Sequence, residues 1–560
     1  MSIDLKVRYV WVVTFVRNAS TAPADSSPPT DSAGSSSLEA APHRLGSRRG
    51  RAAAVLVGAA LVLAGCTSPA AKVQTGVTPG ADPTSTSTDP GLSVDGIPAE
   101  LLPFYEQTVD WTSCGSGFEC ADIMVPLDWD NPTGDTITIG AKRHPAKGTS
   151  MGTILINPGG PGGSGVDFVD YTPFFFGTPL LDNFDILGFD PRGVGESSPV
   201  ACLTDAERDV ADAKTYTTDD AGLAAMEADA TAFGEACLAN TGAVLGEVDT
   251  QSAARDMDVI RQVVGDSKLN YLGFSYGTQL GATYAGIFPE KVGRMVLDGA
   301  IDLRLTSQEQ SLQQAVGFEN ALRAYVTDCL GGSDCPLTGS ADDGMAQVKA
   351  LFDQILANPL PTDDPARPLT QTLAFYGIAQ PLYSQSLWSK LTTALTDAMN
   401  GDGTSLLASA DSYNSRNADG TYSDNQGEAF RAINCLDDRG ETDRAVMDAE
   451  AAEILAAAPT MGEFFGYGGL GCKNWPFPQV EKNFDLAAQG APPILVVGTT
   501  NDPATPYVWA QGLAEQLDSG VLVTYDGEGH TAYGTSNACV LDTVDDYFVK
   551  GTVPASDPMC

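Results

Sequence analysis

The residue best placed to do chemistry is Ser275, in the pentapeptide Gly-Phe-Ser-Tyr-Gly at positions 273–277. An apolar run at 269–272 precedes the pentapeptide, and a segment with helical character, 278–288, follows it. A serine between small residues in a strand, turn and helix context is a nucleophile elbow, whose strained turn lifts the hydroxyl above the sheet. Ser164 lies in a Gly-rich loop without that context. The sequence therefore predicts Ser275 as a nucleophile.

A general base is needed next, because a serine hydroxyl is a weak nucleophile at neutral pH and normally relies on a histidine within hydrogen-bond reach. The chain has three histidines. His43 lies in or before an export signal, His144 lies in an early strand region, and His530 follows an apolar run at 521–524. Elimination and chain order predict His530 as the base.

The acid that orients the histidine is expected between the nucleophile and the histidine in the chain. An apolar run at 494–497 leads into a loop that contains Asp502. Its carboxylate would fix the tautomer of the His530 ring and stabilise the charged form of that ring. Asp526 and Glu528 lie too close to His530 in sequence to approach its ring readily, so Asp502 is the predicted acid.

The loop at 157–165, Asn-Pro-Gly-Gly-Pro-Gly-Gly-Ser-Gly, follows the apolar run 153–156. Its glycines allow backbone N–H groups to approach a substrate closely, as an oxyanion hole requires. The predicted donors are the N–H groups of Gly160 and Tyr276, with Gly159 as the alternative to Gly160. The loop lacks the Gly-Lys-Ser/Thr ending of a phosphate-binding P-loop, which argues against a phosphate cradle.

Two kinds of strand are predicted to position these residues. Alternating runs at 121–127 and 137–142 indicate an antiparallel start. After residue 151, short apolar runs separated by helix-length segments indicate a parallel sheet covered on both faces. Functional residues of such sheets lie just beyond the carboxyl ends of strands. These apolar runs are 153–156, 184–189, 269–272, 295–297, 494–497 and 521–524.

Several motifs together resemble the actinobacterial tripeptidyl-aminopeptidase-like (TAP-like) branch of the α/β hydrolases, relatives of prolyl iminopeptidases and of mycobacterial cell-envelope proteases. The similarity covers roughly residues 92–560. In one departure, Pro158 replaces the histidine of the HGGPG loop of prolyl iminopeptidases, although PGGPG is familiar in this branch. The matching segments are 157–165, 188–193, 273–278, 296–299, 432–435 and the loops of Asp502 and His530.

This resemblance implies an α/β-hydrolase fold with a mostly parallel central sheet and a largely helical cap insertion. The implied domains are a core at 92–302 and 481–560, a cap at 303–480, and a TAP-like C-terminal region at about 430–560. The implied activity is release of short peptides, typically tripeptides, from free N-termini. The reaction would pass through an acyl-enzyme on Ser275 that water hydrolyses.

A peptidase that recognises a free N-terminus needs a carboxylate to meet the ammonium group, because a charge taken from water must be paired. Glu428, Asp437 and Asp438 flank the matching segment 432–435 and are the candidates. The chain has 72 acidic residues, so a solvated surface role for each of the three is the competing interpretation.

Two other functions use part of this pattern. A carboxylesterase or lipase would use the same triad, because a fold alone does not choose between an ester and an amide. A non-enzymatic envelope lipoprotein would not need the serine, acid, histidine and oxyanion loop together, and their joint presence argues against it. The chemistry needs only water, so no cofactor is predicted. Scarce histidine and the lack of a CxxC pair predict no metal site.

The N-terminal region is predicted to direct export. Four arginines within 44–51, an apolar run at 52–64 and small residues before Cys66 form a secretory signal that is too short to span a bilayer. The ending Leu-Ala-Gly-Cys resembles a lipobox, whose cysteine is lipidated; an ordinary signal peptide is the alternative. The protein is therefore expected on the outer face of the cell membrane, held there only through Cys66, or released from it.

The parts of this N-terminal region are assigned separately. Residues 1–43 are predicted to be a disordered extension or to precede the true start. Residues 44–65 form the predicted lipoprotein signal peptide. Residues 66–91, rich in Ser, Thr, Pro and Gly, form a flexible tether that holds the folded part away from the membrane.

The cysteines support export independently. Eleven cysteines less the lipidated Cys66 leave ten, an even set that favours disulfides in an exported chain. Their spacing favours sequential pairing of Cys114 with Cys120, Cys202 with Cys237, Cys329 with Cys335, Cys435 with Cys472, and Cys539 with Cys560.

Size and charge narrow the class further. A chain of 560 residues is long enough for one catalytic domain with a large insertion. Apolar residues make up 43% and charged residues 18%, which is typical of a globular protein. The net charge of −41 would repel nucleic acids and anionic membranes, so neither is a predicted partner. The family resemblance implies that the partner is a peptide substrate.

Overall fold

The computed structural model describes residues 92–560. The predicted extension 1–43, the signal peptide 44–65, the anchor Cys66 and the tether 66–91 therefore lie outside the described residues. Within the described part, no helix is both long enough and apolar enough to cross a membrane.

One sheet of nine strands forms the centre of the molecule. The strands are β1 Thr112–Gly115, β2 Phe118–Pro126, β3 Thr136–His144, β4 Thr153–Asn157, β5 Asp185–Phe189, β6 Leu269–Phe274, β7 Val292–Asp298, β8 Ile494–Asn501 and β9 Gly520–Glu528. Their order is β1-β2-β3-β5-β4-β6-β7-β8-β9. Pairing is antiparallel from β1 through β3 to β5 and parallel from β5 onward. The predicted antiparallel start and parallel sheet are confirmed.

Helices fill the segments between the strands. In chain order they are α1 Leu102–Tyr105, α2 Gly165–Phe168, α3 Thr172–Phe175, α4 Thr178–Asn183, α5 Asp205–Asp212, α6 Asp220–Thr241, α7 Thr250–Val263, α8 Tyr276–Ile287, α9 Ser307–Gly331, α10 Ala341–Ala357, α11 Gln371–Leu382, α12 Trp388–Met399, α13 Thr404–Tyr413, α14 Gln426–Asp437, α15 Arg444–Ala457, α16 Tyr507–Gln516 and α17 Ala538–Lys550. The stretch between β7 and β8 therefore contains seven of these helices, α9 to α15, and no strand of the sheet.

The apolar runs are continuous because the parallel strands are buried on both faces. In β4, Leu155 packs into a hydrophobic cluster that includes residues of α7 and α8. Its neighbours Ile154 and Ile156 pack into a second cluster on the other face, which includes residues of α17. Successive strand residues point to opposite faces, so a run with no polar member is what a doubly covered strand requires.

The inserted segment has a hydrophobic cluster of its own, formed mainly by α9 to α13. Helices α9 and α10 both begin with a capping box, in which the first polar side chain and an acidic one satisfy each other's backbone N–H groups. Helix α14 differs, because its Ala429, Ala432 and Ile433 belong to the cluster of the α/β core. It lies within the predicted cap segment but packs as part of the catalytic core.

Residues 92–560 contain five disulfides, and these have the sequential pairing that the spacing favoured. Cys202–Cys237 joins the segment before α5 to α6, across 35 residues. Cys435–Cys472 fixes α14 to the segment before β8, across 37 residues. Both cross-links hold segments that pack around the site described below.

The segment 188–193 has a structural role through Arg192, whose side chain is fully buried. Its guanidinium forms a paired contact with Asp256 of α7, with both nitrogen–oxygen distances at 2.7 Å. It also donates to the carbonyl oxygens of Pro126, Leu127 and Glu247. All its donors are thus satisfied, and the loop after β5 is tied to β2 and α7.

Candidate active site

Ser275 lies between the end of β6 and the start of α8, with φ of 56° and ψ of −125°. A residue other than glycine reaches positive φ only at an energetic cost, which the surrounding structure must sustain. Gly273 and Gly277 allow the tight turn. A Cβ on Gly273 would lie 2.3 Å from the Gly277 carbonyl oxygen, and one on Gly277 would lie 2.8 Å from the Asn157 carbonyl oxygen. The turn has the geometry of a nucleophile elbow.

His530 and Asp502 meet beyond the ends of β9 and β8. The His530 Nδ1 lies 2.9 Å from each Asp502 oxygen. The N–H groups of Ala504 and Thr505 donate to Asp502 Oδ1, each at 2.9 Å, and the Thr505 hydroxyl donates to Oδ2 at 3.0 Å. These bonds hold the carboxylate against Nδ1, so Nε2 is the ring nitrogen left to act as base.

Ser275 and His530 lie around the same strand end without a direct hydrogen bond. Within residues 92–560 the Ser275 hydroxyl has no hydrogen-bond partner. A Cβ on Gly299, immediately after β7, would lie 3.2 Å from His530 Cε1. The N–H of Ser275 donates at 2.8 Å to the carbonyl oxygen of Asp298, the last residue of β7. Catalytic hydrogen bonds of this kind often tighten only in the substrate complex.

Asp298 connects the serine to the histidine. Its carbonyl oxygen accepts from Ser275, while its fully buried carboxylate accepts the N–H groups of Ala532 at 3.0 Å and Tyr533 at 2.6 Å. Burial raises the pKa of Asp298 to about 7, against the lowering effect of those two bonds and of His530. The end of β7 thus holds both the elbow and the loop that follows His530.

The Gly-rich loop lies against the elbow. A Cβ on Gly159 would lie 2.9 Å from Ser275 Cβ and 3.0 Å from the Tyr276 nitrogen. The Gly159 N–H is already bonded to Asn157 Oδ1 at 2.9 Å. Within residues 92–560, the N–H groups of Gly160 and Tyr276 have no acceptor. These contacts favour Gly160 over Gly159 as the partner of Tyr276 in an oxyanion hole.

The hydroxyl of Ser164, the serine in the Gly-rich loop, is used in structural hydrogen bonds. Its hydroxyl donates to Asp190 Oδ1 at 2.6 Å and accepts from the Asp167 N–H, which caps α2. Burial raises the pKa of Asp190 to about 6. Ser164 therefore fixes the end of the Gly-rich loop and has no base beside it.

The three carboxylates predicted to meet the substrate's ammonium group all have partners inside the protein. Glu428 accepts from the N–H groups of residues 202 and 203, at 3.2 and 2.8 Å. Asp437 accepts from Thr250 and from the Gln279 side chain, and burial raises the pKa of Asp437 to about 7. Asp438 accepts from the Gly440 N–H at 3.0 Å. Their assignment to the ammonium group stays a prediction that these contacts do not support.

The sequence does not assign two residues that lie beside His530. Asp298 lies in the matching segment 296–299, but nothing in that pattern indicated its role. Tyr383, which follows α11 in the inserted segment, accepts the His530 N–H on its carbonyl oxygen at 3.0 Å. Its ring lies edge-on to the His530 ring, with centroids 5.3 Å apart. No signal in the sequence pointed to Tyr383.

The arrangement can perform acyl transfer. It supplies a nucleophile on a strained turn, a histidine whose orientation a carboxylate fixes, and two backbone N–H groups without acceptors beside the nucleophile. Among the residues that the structure describes, no group of three histidine, cysteine or acidic side chains is arranged to hold a metal ion.

Comparisons with known proteins found one matching family profile and several relatives that cover most of this chain. A family profile described as "TAP-like protein" matches residues 458–560. Serine protease Hip1 of Mycobacterium tuberculosis is 38% identical over 482 residues, covering 82% of this chain and 92% of the relative. Carboxylesterase B of the same species is 38% identical over 454 residues, covering 79% and 86%. Tripeptidyl aminopeptidase of Streptomyces lividans is 30% identical over 469 residues, covering 81% and 86%.

Proposed function

The chain belongs to the TAP-like family of α/β-hydrolase serine hydrolases, and we propose that it is an exported aminopeptidase that removes short peptides, typically tripeptides, from free N-termini. The observation that carries the proposal is the joint geometry of Ser275, Asp502 and His530 in a chain similar to both a serine protease and a tripeptidyl aminopeptidase over most of its length.

The proposed reaction begins when Ser275 Oγ attacks the carbonyl carbon of the scissile amide and His530 Nε2 takes the hydroxyl proton. The N–H groups of Gly160 and Tyr276 bind the oxyanion that forms. His530 then gives its proton to the leaving nitrogen as the C–N bond breaks, which leaves an ester on Ser275. Water attacks that ester, transfers a proton to His530 and releases the short peptide, and the proton returns to Oγ.

Free-amine dependence is the measurement that tests this proposal. The full chain, expressed with its disulfides, is given a tripeptide p-nitroanilide, the N-acetylated form of the same peptide and a short p-nitrophenyl ester. We expect the free peptide to be cleaved much faster than the acetylated one. An acetylated peptide has no ammonium group, so the protein group that pairs with that charge would be left without a partner. Equal rates on the two peptides would contradict an aminopeptidase, and Ser275→Ala is the control for background hydrolysis.

A carboxylesterase is the second candidate, because the relative with that name is as similar to this chain as the protease is. An ester is the easier bond to break, so the same triad would serve. If neither peptide is cleaved and the p-nitrophenyl ester is, the esterase assignment replaces the peptidase assignment, and the roles of Ser275, Asp502 and His530 are unchanged.

Export with a lipid anchor on Cys66 is part of the proposal. Five disulfides support an oxidising compartment, since such bonds rarely persist in the cytosol. Cys66→Ala should release the protein from the membrane fraction of an actinobacterial host and remove incorporated lipid label. Membrane retention and labelling that survive Cys66→Ala would contradict the anchor.

A further inference from the structure

A series of tyrosine rings leads from the catalytic histidine into the inserted helices. The ring of Tyr383 meets His530 edge-on, and the ring of Tyr413 lies 6.2 Å from that of Tyr383. Tyr376 stacks on Tyr413, with centroids 4.8 Å apart. All three tyrosines are partly exposed. We call Tyr383, Tyr413 and Tyr376 the aromatic wall; rings of this kind suit the apolar parts of a bound peptide.

Arg431 of α14 lies beyond the far end of this wall. Tyr376, Tyr216 and Asp212 are the ionisable groups whose charges act on it, and its guanidinium lies over the ring of Phe233 at 4.6 Å. Arg431 is therefore within electrostatic reach of Tyr376, the last ring of the wall, and in contact with α6.

Helix α14 joins this arginine to the Gly-rich loop. The first residue of the helix, Gln426, packs on the Gly-rich loop, where a Cβ on Gly160 would lie 3.5 Å from Gln426 Nε2. Arg431 follows five residues later, a rise of about 7.5 Å along a helix. An extended tripeptide spans about 10 Å, a length comparable to that rise.

Arg431 has no counter-ion of its own. Within residues 92–560 its guanidinium makes no hydrogen bond and no ion pair with the rest of the chain. Asp212, the acid that influences it, is bonded to the Tyr422 hydroxyl at 2.9 Å. Other arginines on this side of the insertion have partners. Arg367 binds Asp411, Arg416 binds Asp209, and Arg208 donates to the carbonyl oxygen of Asp424 at 2.8 Å.

A partly buried cation without a carboxylate partner is costly, and its contact with an aromatic face offsets only part of that cost. Burial accordingly lowers the pKa of Arg431. The surroundings are also unusual for this protein, whose net charge of −41 repels anions from the surface as a whole. A guanidinium that makes no hydrogen bond and no ion pair with the described part of the chain is the kind of group that binds a carboxylate in a fixed geometry.

We infer that Arg431 binds a carboxylate of the substrate peptide and makes the enzyme prefer peptides that carry one close to the scissile bond. The carboxylate belongs either to an aspartate or glutamate side chain or to the C-terminus of a short peptide. The inference rests on the proposed peptide substrate and adds to it a charge preference. Arg431 acts on selection of the substrate and takes no part in the proton transfers at Ser275 and His530.

The test compares matched substrates on the full chain. Tripeptide p-nitroanilides carry glutamate or glutamine at each position in turn, and tetrapeptides of alanine have a free or an amidated C-terminus. We expect kcat/KM to favour the carboxylate at one of these positions by about tenfold to 100-fold, mainly through KM. Arg431→Met should abolish that preference, and Arg431→Lys should keep part of it. Which pair shows the preference identifies the source of the carboxylate.

Controls separate loss of the preference from loss of folding. Arg323→Met removes an exposed arginine of α9 that is paired with Asp342, and it should leave the preference unchanged. Labelling of Ser275 by a fluorophosphonate should proceed at the same rate in Arg431→Met as in the original protein. No preference for a carboxylate at any position, or a preference that persists in Arg431→Met, overturns the inference.

Failure of the proposed peptidase activity has a different result. If no peptide is cleaved, protection of Ser275 from the fluorophosphonate replaces turnover as the readout, and it is measured in two matched pairs. The first pair is Ala-Ala-Glu and Ala-Ala-Gln with amidated C-termini, and the second is Ala-Ala-Ala with a free or an amidated C-terminus. Stronger protection by the carboxylate member of either pair that disappears in Arg431→Met supports the carboxylate site in the absence of peptidase activity. Equal protection within both pairs overturns the carboxylate site itself.

Discussion

The active site has two regions that are built in different ways. The catalytic floor, Ser275, Asp298, Asp502 and His530, lies at the carboxyl ends of neighbouring parallel strands, and backbone hydrogen bonds join its members. The aromatic wall comes from α11, α13 and the turn after α11, and its members meet through ring contacts and through a hydrogen bond between the Tyr383 and Tyr413 side chains. The floor is fixed by the sheet, while the wall depends on how inserted helices pack.

This difference separates reaction from selection. Groups held by backbone bonds at strand ends keep the sub-ångström geometry that proton transfer needs. Rings on helices present a surface that can change from one family member to another without disturbing that geometry. Substitutions in the floor should therefore lower kcat, and substitutions in the wall should mainly raise KM for peptides.

The largest effect is expected for the nucleophile itself. Ser275→Ala should lower kcat by about 10⁴-fold or more on peptide and ester alike, because the covalent intermediate cannot form. It should also end labelling by a fluorophosphonate. Ser164→Ala is the matched control, since that hydroxyl bonds Asp190, and labelling should continue in it. Labelling that survives in Ser275→Ala and disappears in Ser164→Ala would place the nucleophile elsewhere.

Asp298→Asn should have the next largest effect, a fall in kcat of about tenfold to 100-fold, because the carboxylate that holds the loop after His530 becomes a neutral amide. Burial raises the pKa of Asp298 to about 7, so in the original enzyme this group must lose its proton to act as a carboxylate. On its acid side, a plot of log(kcat/KM) against pH should therefore rise less steeply for Asp298→Asn than for the original protein. Equal steepness in both proteins would contradict the role of Asp298.

The free energy of unfolding should fall over the pH range in which kcat/KM rises. The pKa of Asp298 is raised from 3.8 to about 7 by burial, so the folded protein binds a proton more tightly than the unfolded chain does. Its contribution to stability is therefore fully present below about pH 4 and is lost as the pH rises through about 7. Thermal melts at pH 5 and pH 8 measure the loss of stability between these two pH values. The loss should be smaller in Asp298→Asn than in the original protein, because an asparagine side chain does not titrate.

The sequence was a better guide to the floor than to the wall, for a physical reason. Ser275, Asp502 and His530 each follow an apolar strand, and the carboxyl ends of parallel strands meet at one edge, so local patterns sufficed to predict that they converge. The wall depends on contacts between helices far apart in the chain. No local sequence pattern distinguishes a tyrosine that faces the active site from a tyrosine that only packs inside the cap.

The ammonium assignment illustrates the same limit. The sequence predicts Glu428 and Asp437 from their position beside a matching segment, but a helix presents successive residues to different sides. Their contacts with residues 202, 203 and Thr250 could be found only from the packing of α14. Asp298 lies between these two cases. The sequence predicts its position at the end of a strand, but it does not predict the hydrogen bonds to a loop more than two hundred residues later.

A smaller effect is expected for the wall. Tyr376→Ala should raise KM for a tripeptide p-nitroanilide by about tenfold, because it removes a stacked ring at the end of the wall. The rate on a short p-nitrophenyl ester should stay within about twofold, since such a substrate does not reach the ring. Equal losses on peptide and ester would show that the substitution disturbs the floor and would remove the distinction between the two regions.

The smallest effect on catalysis is expected for Glu428→Gln, which sets a predicted substrate-binding carboxylate against its structural contacts. Its carboxylate accepts two backbone N–H groups beside Cys202, and an amide oxygen accepts them more weakly. The free energy of unfolding should therefore fall by about 1 kcal/mol. The ratio of rates on the free and acetylated tripeptides should stay within about twofold, because the side chain already has partners inside the protein. If that ratio instead falls toward one while the free energy of unfolding is unchanged, Glu428 is the group that recognises the substrate's ammonium. Part of α14 would then belong to the substrate-binding site.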